Sequence, residues 1–284
     1  MVVTVGFFDG VHIGHRRVIR SLVEQGGGDA AVVTFWPHPR IVLGQNAEGL
    51  SLLTSLEEKE AMIRDCHITD VRCMEFSPDL ASVDAETFIR QYLVGEMGCT
   101  SIVLGYDNRF GSDGLDTEQI ASLCRKLGIE VSVVPPCSVD GFSVSSTRIR
   151  SSLNDGDVSL AARMLGYRYR IDGAADYDTG TGVPAVHIVP SFKLKAVPRE
   201  GVYATDVFLR GCRYRAVTYI SPSCPTESPE RRILTHIFDF EGDINDARLS
   251  LEFISRIRDA QHFENDEELK QRLETDKHIC FGCN

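Results

Sequence analysis

Val2-Val-Thr-Val-Gly6-Phe7-Phe8-Asp9-Gly10-Val-His12-Ile-Gly14-His15 passes from a β-branched apolar run, through a glycine-rich turn, into a helical pattern. Val18, Ile19, Leu22 and Val23 then share one helical face over His15–Gln25. A buried strand feeding such a turn and helix opens a parallel α/β sheet. Working outward, Ala30–Phe35, Asp70–Met74, Ser101–Leu104 and Glu130–Val134 read as further strands. Ser55–Cys66, Ala85–Gly95 and Glu118–Leu127 read as the helices between them. The alternation predicts a mostly parallel sheet covered on both faces, with ligands at the C-terminal ends of its strands.

The texture changes after Leu165-Gly166. Tyr169–Gly173, Val202–Leu209, Tyr214–Ile220, Leu234–Phe240 and Leu249–Ile254 are short strand-like segments separated by Gly, Pro and Asp, the pattern of a barrel or sandwich. Asn265-Asp-Glu-Glu268 then starts a capped helix with Leu269 and Leu273 inward. The expected division is residues 1–167 and 168–284.

Composition restricts the function classes. The chain has 284 residues, 43% hydrophobic and 25% charged, enough for one or two domains with real cores. It has no apolar run of eighteen residues, and the N-terminus lacks a basic n-region, so neither a membrane span nor a signal peptide is expected. A net charge of −11 argues against nucleic-acid binding. Nine scattered cysteines suit reduced thiols in a cytoplasmic protein. His278-Ile-Cys280-Phe-Gly-Cys283 has metal-like spacing but lacks a fourth ligand, so a frayed tail is expected and no metal site. The sequence carries no signal for oligomeric state.

The chemistry concentrates at two places. In the opening turn, Gly6, Gly10 and Gly14 let the main chain approach a bulky anion, with Phe7, Phe8 and Asp9 between them. His12 and His15 stand at the helix start, placed to donate to charge developing on a phosphate. The competing reading is a turn with solvent-facing histidines. In Val144-Ser145-Ser146-Thr147-Arg148-Ile-Arg150, hydroxyls open a helical run that continues through Leu165. Arginines in a first turn oppose the helix dipole unless an anion is bound there; an ordinary cap with exposed arginines is the alternative. Thr34-Phe-Trp-Pro37-His38-Pro39 and Gly105-Tyr-Asp107-Asn-Arg109-Phe110-Gly111 lie at strand ends and are candidates to hold a planar ring and a phosphate tail.

Taken in order, GFFDGVHIGH, TFWPHP, LLTSLEEK, GYDNRFG and SSTRIR resemble the bacterial two-domain FAD synthetases, riboflavin kinase/FMN adenylyltransferases. The resemblance implies a Rossmann-like HxGH nucleotidyltransferase domain followed by a small riboflavin-kinase-like β-barrel. It further implies reaction of ATP with FMN to give FAD and pyrophosphate, with Mg²⁺. His12, His15 and Arg150 would be the catalytic groups, and Ser145–Thr147 with Arg148 would join Gly6–Gly10 and Gly14 around ATP. Pro37, His38, Asp107, Arg109 and Phe110 would serve the flavin.

The resemblance continues more weakly to residue 276, through Leu194–Tyr203, His236–Phe240 and Phe253–Phe263. The family's kinase signature, Pro-Thr-Ala-Asn after a Gly-Arg flap, meets Gly182-Val-Pro-Ala185-Val-His187-Ile188 here, and Ala174–Thr181 has no basic flap residue. Leu234 stands where the family has its glutamate base, and Ala260 where it usually has Glu. Loss of several groups that act as a unit implies lost kinase chemistry. The leading expectation is an FMN adenylyltransferase with a degenerate barrel; second comes a bifunctional enzyme with substitute kinase residues; third, a non-catalytic flavin- or nucleotide-binding regulator.

Overall fold

The computed structural model describes residues 1–44, 49–178, 185–222, 231–242, 244, 247–261, 263 and 265–282. The chain divides into two compact units, Met1–Ser146 and Thr147–Asn284.

In the first unit, β1 (Val2–Val5), α1 (Ile13–Gly26), β2 (Ala30–Trp36), α2 (Pro39–Val42), α3 (Leu56–Arg64), β3 (Asp70–Glu75) and α4 (Pro78–Ser82) come first. Next come α5 (Ala85–Phe88), running on as a π-helix over Ile89–Glu96, then β4 (Ser101–Gly105), α6 (Thr117–Lys126), β5 (Glu130–Val134) and a small hairpin of β6 (Ser138–Val139) and β7 (Phe142–Ser143). The five-stranded sheet has the order β3-β2-β1-β4-β5, and every pairing in it is parallel. Alternate residues face opposite layers. Val3, Val33, Ile102 and Leu104 pack with Phe88, Leu93 and Ile120, whereas Val32 and Val103 pack with Val18, Ile19 and Leu22. Each such side chain contributes about 1.5–3 kcal/mol of burial. Thr4, wholly buried in β1, stays satisfied by donating to the Val103 carbonyl at 2.7 Å.

The chain leaves β1 toward β2 and β3, then returns to β4 on the other side. This switch opens a crevice at the C-terminal ends of β1 and β4, where α/β sheets bind ligands.

In the second unit the helical run expected to continue through Leu165 is broken. It is two helices, α7 (Ser146–Asn154) and α8 (Val158–Leu165), because Gly156 takes a φ of 82° and Asp157 caps a new start by accepting from the Leu160 amide. Six strands follow: β8 (Arg170–Asp178), β9 (Ala185–Pro190), β10 (Gly201–Leu209), β11 (Cys212–Ile220), β12 (Ile233–Ile237) and β13 (Ala247–Arg258). They close as a barrel in the order β10-β11-β12-β9-β8-β13, with antiparallel pairing between neighbours. Its interior holds a polar thread: the hydroxyls of Thr205, Thr218 and Thr235 are linked at 2.8 and 3.0 Å, and all three residues are fully buried.

Residues 278–282 are not a frayed tail. They belong to α9 (Asp266–Gly282), and Cys280 is fully buried among Val202, Ala204, Val217 and Phe238, its thiol donating to the Ala216 carbonyl. Cys283 lies outside the described residues. Each described cysteine is a free thiol. Among the described residues no helix is long and apolar enough to cross a membrane.

Asp276 ties α9 to the barrel. It is wholly buried and accepts from Arg258 Nη2 at 2.7 Å and from Arg258 Nε at 3.1 Å to each carboxylate oxygen. Asp276→Ala leaves that guanidinium buried without its counter-charge, and should cost about 3–5 kcal/mol of stability in the second unit. Urea unfolding checks this; a loss below about 1 kcal/mol, the value of an exposed pair, would show that the pair contributes little.

Candidate active site

The turn between β1 and α1 is wound through left-handed backbone. Phe8, Gly10 and Val11 have φ of 53°, 78° and 34°, a conformation that a bulky or β-branched residue adopts only under constraint. The constraint is Asp9. Its Oδ1 accepts from the Leu53 and Thr54 amides at 2.9 and 3.1 Å and from the Thr54 hydroxyl at 3.3 Å, and the Gly10 amide donates to that hydroxyl at 3.0 Å. Asp9, expected beside ATP, therefore has its carboxylate committed to the segment before α3. The hydroxyl of Ser146, the last residue of the first unit, donates to the Asp9 carbonyl at 2.8 Å.

His12 caps α1. Its Nδ1 accepts from the His15 amide at 3.3 Å, so the neutral imidazole carries its proton on Nε2. The two imidazoles stack with centroids 3.5 Å apart and planes 16° from parallel. Gly14 permits this, since a Cβ there would meet the His12 ring at 3.1 Å. The Phe8 ring stands edge-on to His15 at 5.2 Å. Burial lowers His12 to about 4, against the pull of its backbone hydrogen bond. Burial, with the charges of His12 and Lys59, holds His15 well below the usual histidine range. The Nδ1 atom of His15 is shut off from solvent without a hydrogen-bond partner. Such an orphan is expected where a ligand supplies the missing partner.

Beside the turn lies a cavity of about 280 Å³, lined by Val5, Gly6, Phe7, Phe35, Pro39, Phe76, Leu80, Val83, Phe88, Arg109 and Phe110 among others. Gly6, Phe7, Arg109 and Phe110 are thus brought together. Pro37, His38 and Asp107 do not line it; His38 caps α2 and meets the Phe7 ring at 4.4 Å, while Asp107 is exposed. Phe35 belongs to the aromatic turn singled out from the sequence, whereas Phe76 and Phe88 escape sequence reading, since buried aromatics read as core. Asn108, also unforeseen, bridges the crevice: its Oδ1 accepts from the Gly105 amide and its Nδ2 donates to the Val5 carbonyl, both at 2.7 Å. Thr147, Arg148 and Arg150 follow Ser146 on α7, with Arg150 Nη2 3.4 Å from the Thr147 hydroxyl. No acidic residue offsets the arginines in that helix's first turn.

An α/β unit with a histidine pair at the crevice, followed by a closed six-stranded barrel, defines a two-domain nucleotide-handling class. Residues 1–148 match the FAD synthetase family model and residues 165–281 that of riboflavin kinase. The chain is 32% identical to the bifunctional riboflavin kinase/FMN adenylyltransferase of Bacillus subtilis, over 97% of this chain and 90% of that protein. It is 30% identical to the protein of the same name from Pseudomonas fluorescens and 27% identical to that of Escherichia coli K12, with the same coverage. A solved structure described as a macrolide-efflux protein from Streptococcus pneumoniae superposes with a TM-score of 0.91 at 28% identity, covering 100% of this chain and 94% of that one. The chain belongs to the FAD synthetase family of bifunctional riboflavin kinase/FMN adenylyltransferases.

Both imidazoles are held neutral at pH 7 by burial, so an anion placed against them should favour their charged forms and raise both values. Proton NMR titration of the histidine ring signals, with and without ATP, checks this. His12 should titrate near 4 in the free protein and move upward with ATP; an ATP-independent value near 6.5 would mean that the pair faces solvent rather than phosphate.

Proposed function

We propose that the first unit transfers the AMP moiety of ATP to FMN. A phosphate oxygen of FMN forms the new bond to the α-phosphorus, the bond from that phosphorus to the bridging oxygen breaks, and pyrophosphate leaves. One observation carries the reading: the turn that leads into the stacked histidine pair, with its orphaned buried nitrogen, also supplies Gly6 and Phe7 to an aromatic-lined cavity. That aromatic lining suits a planar ring system, and the glycine turn suits phosphates. His12 donates through Nε2 to the charge growing on the α-phosphate, and His15 takes up the anion that its Nδ1 lacks. We assign Gly6–Gly10, Gly14, Ser145–Thr147 and Arg148 to ATP, Arg150 to the leaving phosphates, and Arg109, Phe110, Asp107, Pro37 and His38 to the flavin side. Among the described residues no group of His, Cys, Asp and Glu forms a metal cage. No step is assigned to Mg²⁺. The functional boundary is kept between residues 167 and 168, close to where the kinase match begins.

With purified protein, ATP and Mg²⁺, FMN should become FAD. His12→Ala and His15→Ala should each lower turnover by about a hundredfold or more, as loss of a preorganised donor does. Chromatography of the flavins measures both; near-wild-type FAD formation by His15→Ala would remove that residue from the chemistry.

For the second unit, the relatives' names and the kinase match favour the bifunctional reading over the single-activity reading placed first from sequence. One local observation supports the single-activity reading. Leu234 on β12 is the cross-strand partner of His187 on β9, and Ala185 begins that strand. The position matched to the base and one matched to the nucleotide clamp are thus neighbours, and neither carries the family's residue. The rest of the matched flap, residues 179–184, lies outside the described residues. A primary hydroxyl without a positioned base forfeits about a hundredfold to ten-thousandfold in rate. On the single-activity reading, riboflavin and ATP give neither FMN nor FAD over hours. Formation of either at a rate comparable to FAD formation from FMN would establish the bifunctional reading.

A further inference from the structure

We infer that Lys59 is a positioning residue for adenylyl transfer, its ammonium lacing the ends of β1 and β2 together beneath the histidine turn. The inference rests on the reaction proposed above and concerns a residue that reaction has not used.

Lys59 is only 1% exposed although it lies on α3, where a surface lysine would be unremarked. Its Nζ donates to the Phe7 carbonyl at 3.1 Å and to the Phe35 carbonyl at 3.2 Å. It also stands 4.3 Å from the centroid of the Phe7 ring and 5.7 Å from that of Trp36. Phe7 opens the turn, and both Phe7 and Phe35 line the cavity. One cation thus fixes a wall of the cavity and the base of the turn. The Phe7 carbonyl already accepts from the Thr34 hydroxyl at 3.1 Å, so satisfying it does not require a charged donor, and burying a charge is costly. The charge itself has a use here, because it reaches the histidines: Lys59 is among the causes that hold His15 neutral. A fixed positive charge under the turn also favours the negative charge that a triphosphate brings.

The groups that face Lys59 are Asp9 of the turn, Cys73 of β3, Glu60 of its own helix and His15 of α1. Burial brings the Lys59 ammonium down to about 8 against the pull of Cys73, Asp9 and Glu60. The active, charged form is therefore present at pH 7 and lost as pH rises through about 8. His12 and His15 titrate far below that window, and burial raises the Cys73 thiol above its usual range.

The test is FAD formation from FMN and ATP by the full chain between pH 6.5 and 10, for the wild type, Lys59→Arg, Lys59→Met and Cys73→Ser. The wild type and Cys73→Ser should lose kcat/KM for ATP along an alkaline limb near pH 8, the value of the free enzyme. Lys59→Arg, whose guanidinium stays charged, should carry no such limb. Lys59→Met should lose about a hundredfold in kcat at pH 7 with KM for ATP changed less than about threefold, as misplacement rather than lost binding predicts. A wild-type profile flat to pH 9.5 overturns the inference even if every variant misfolds. So does a folded Lys59→Arg that keeps the limb, or a Lys59→Met within twofold of the wild type. Absence of any FAD from the wild type would instead bring down the proposed reaction, and this inference with it.

Discussion

The site depends on one buried carboxylate. Asp9 accepts from the amides of Leu53 and Thr54 and so holds a turn in which Phe8 and Val11, residues that resist positive φ, are both left-handed. Each such residue costs on the order of 1–2 kcal/mol. Hydrogen bonds to a charged acceptor, roughly twice as strong as neutral ones, offset that cost. Everything functional hangs from this turn: His12 as the cap of α1, the His15 amide bonded to it, and Ser146 bonded to the Asp9 carbonyl. A glutamate could not serve equally, because its longer arm would move the accepting oxygen off both amides.

The same burial that shapes the turn sets its electrostatics. Desolvation is the largest cause of the low values of His12, His15 and Lys59 alike. The consequences differ because the starting values differ. The histidines become neutral at pH 7, while the lysine, brought down only to about 8, stays mostly charged. The turn therefore combines a fixed cation with two proton-bearing rings that an anion can charge. Charge that appears only with the substrate is charge spent on binding and transfer.

Much of this was legible in the sequence. Parallel strands are buried on both faces, so Val2–Val5, Ala30–Trp36 and Ser101–Gly105 stand out as apolar runs punctuated by glycine. The histidine pair was legible because its spacing and its place after a strand are local facts. The cavity floor was not. Phe76, Leu80, Val83 and Phe88 have the composition of ordinary core, so only tertiary structure shows that they surround a space with Phe35. Lys59 and Asn108 escaped for a related reason. A lysine on a helix and an asparagine in a loop read as solvated, and their carbonyl partners are 52, 24 and 103 residues away. Strand β9 was hidden behind a motif comparison, and the end of α9 behind a cysteine spacing that suggests a loose tail rather than a buried thiol.

The barrel illustrates how fold and chemistry separate. Its closure rests on six strands and on inward residues such as Ile233 and Thr235, the latter at the end of the buried hydroxyl thread. On β12 the pleat places Leu234 on the opposite side from these two, next to His187 and Tyr219 across the neighbouring strands. A substitution at such an outward position alters no interior packing. The barrel can therefore hold the riboflavin-kinase shape whether or not a base stands at residue 234, which is why a match in fold transmits the architecture of this unit and not its activity. Groups that catalyse as a unit are lost as a unit: a base without a clamp, or a clamp without a base, retains little of the rate.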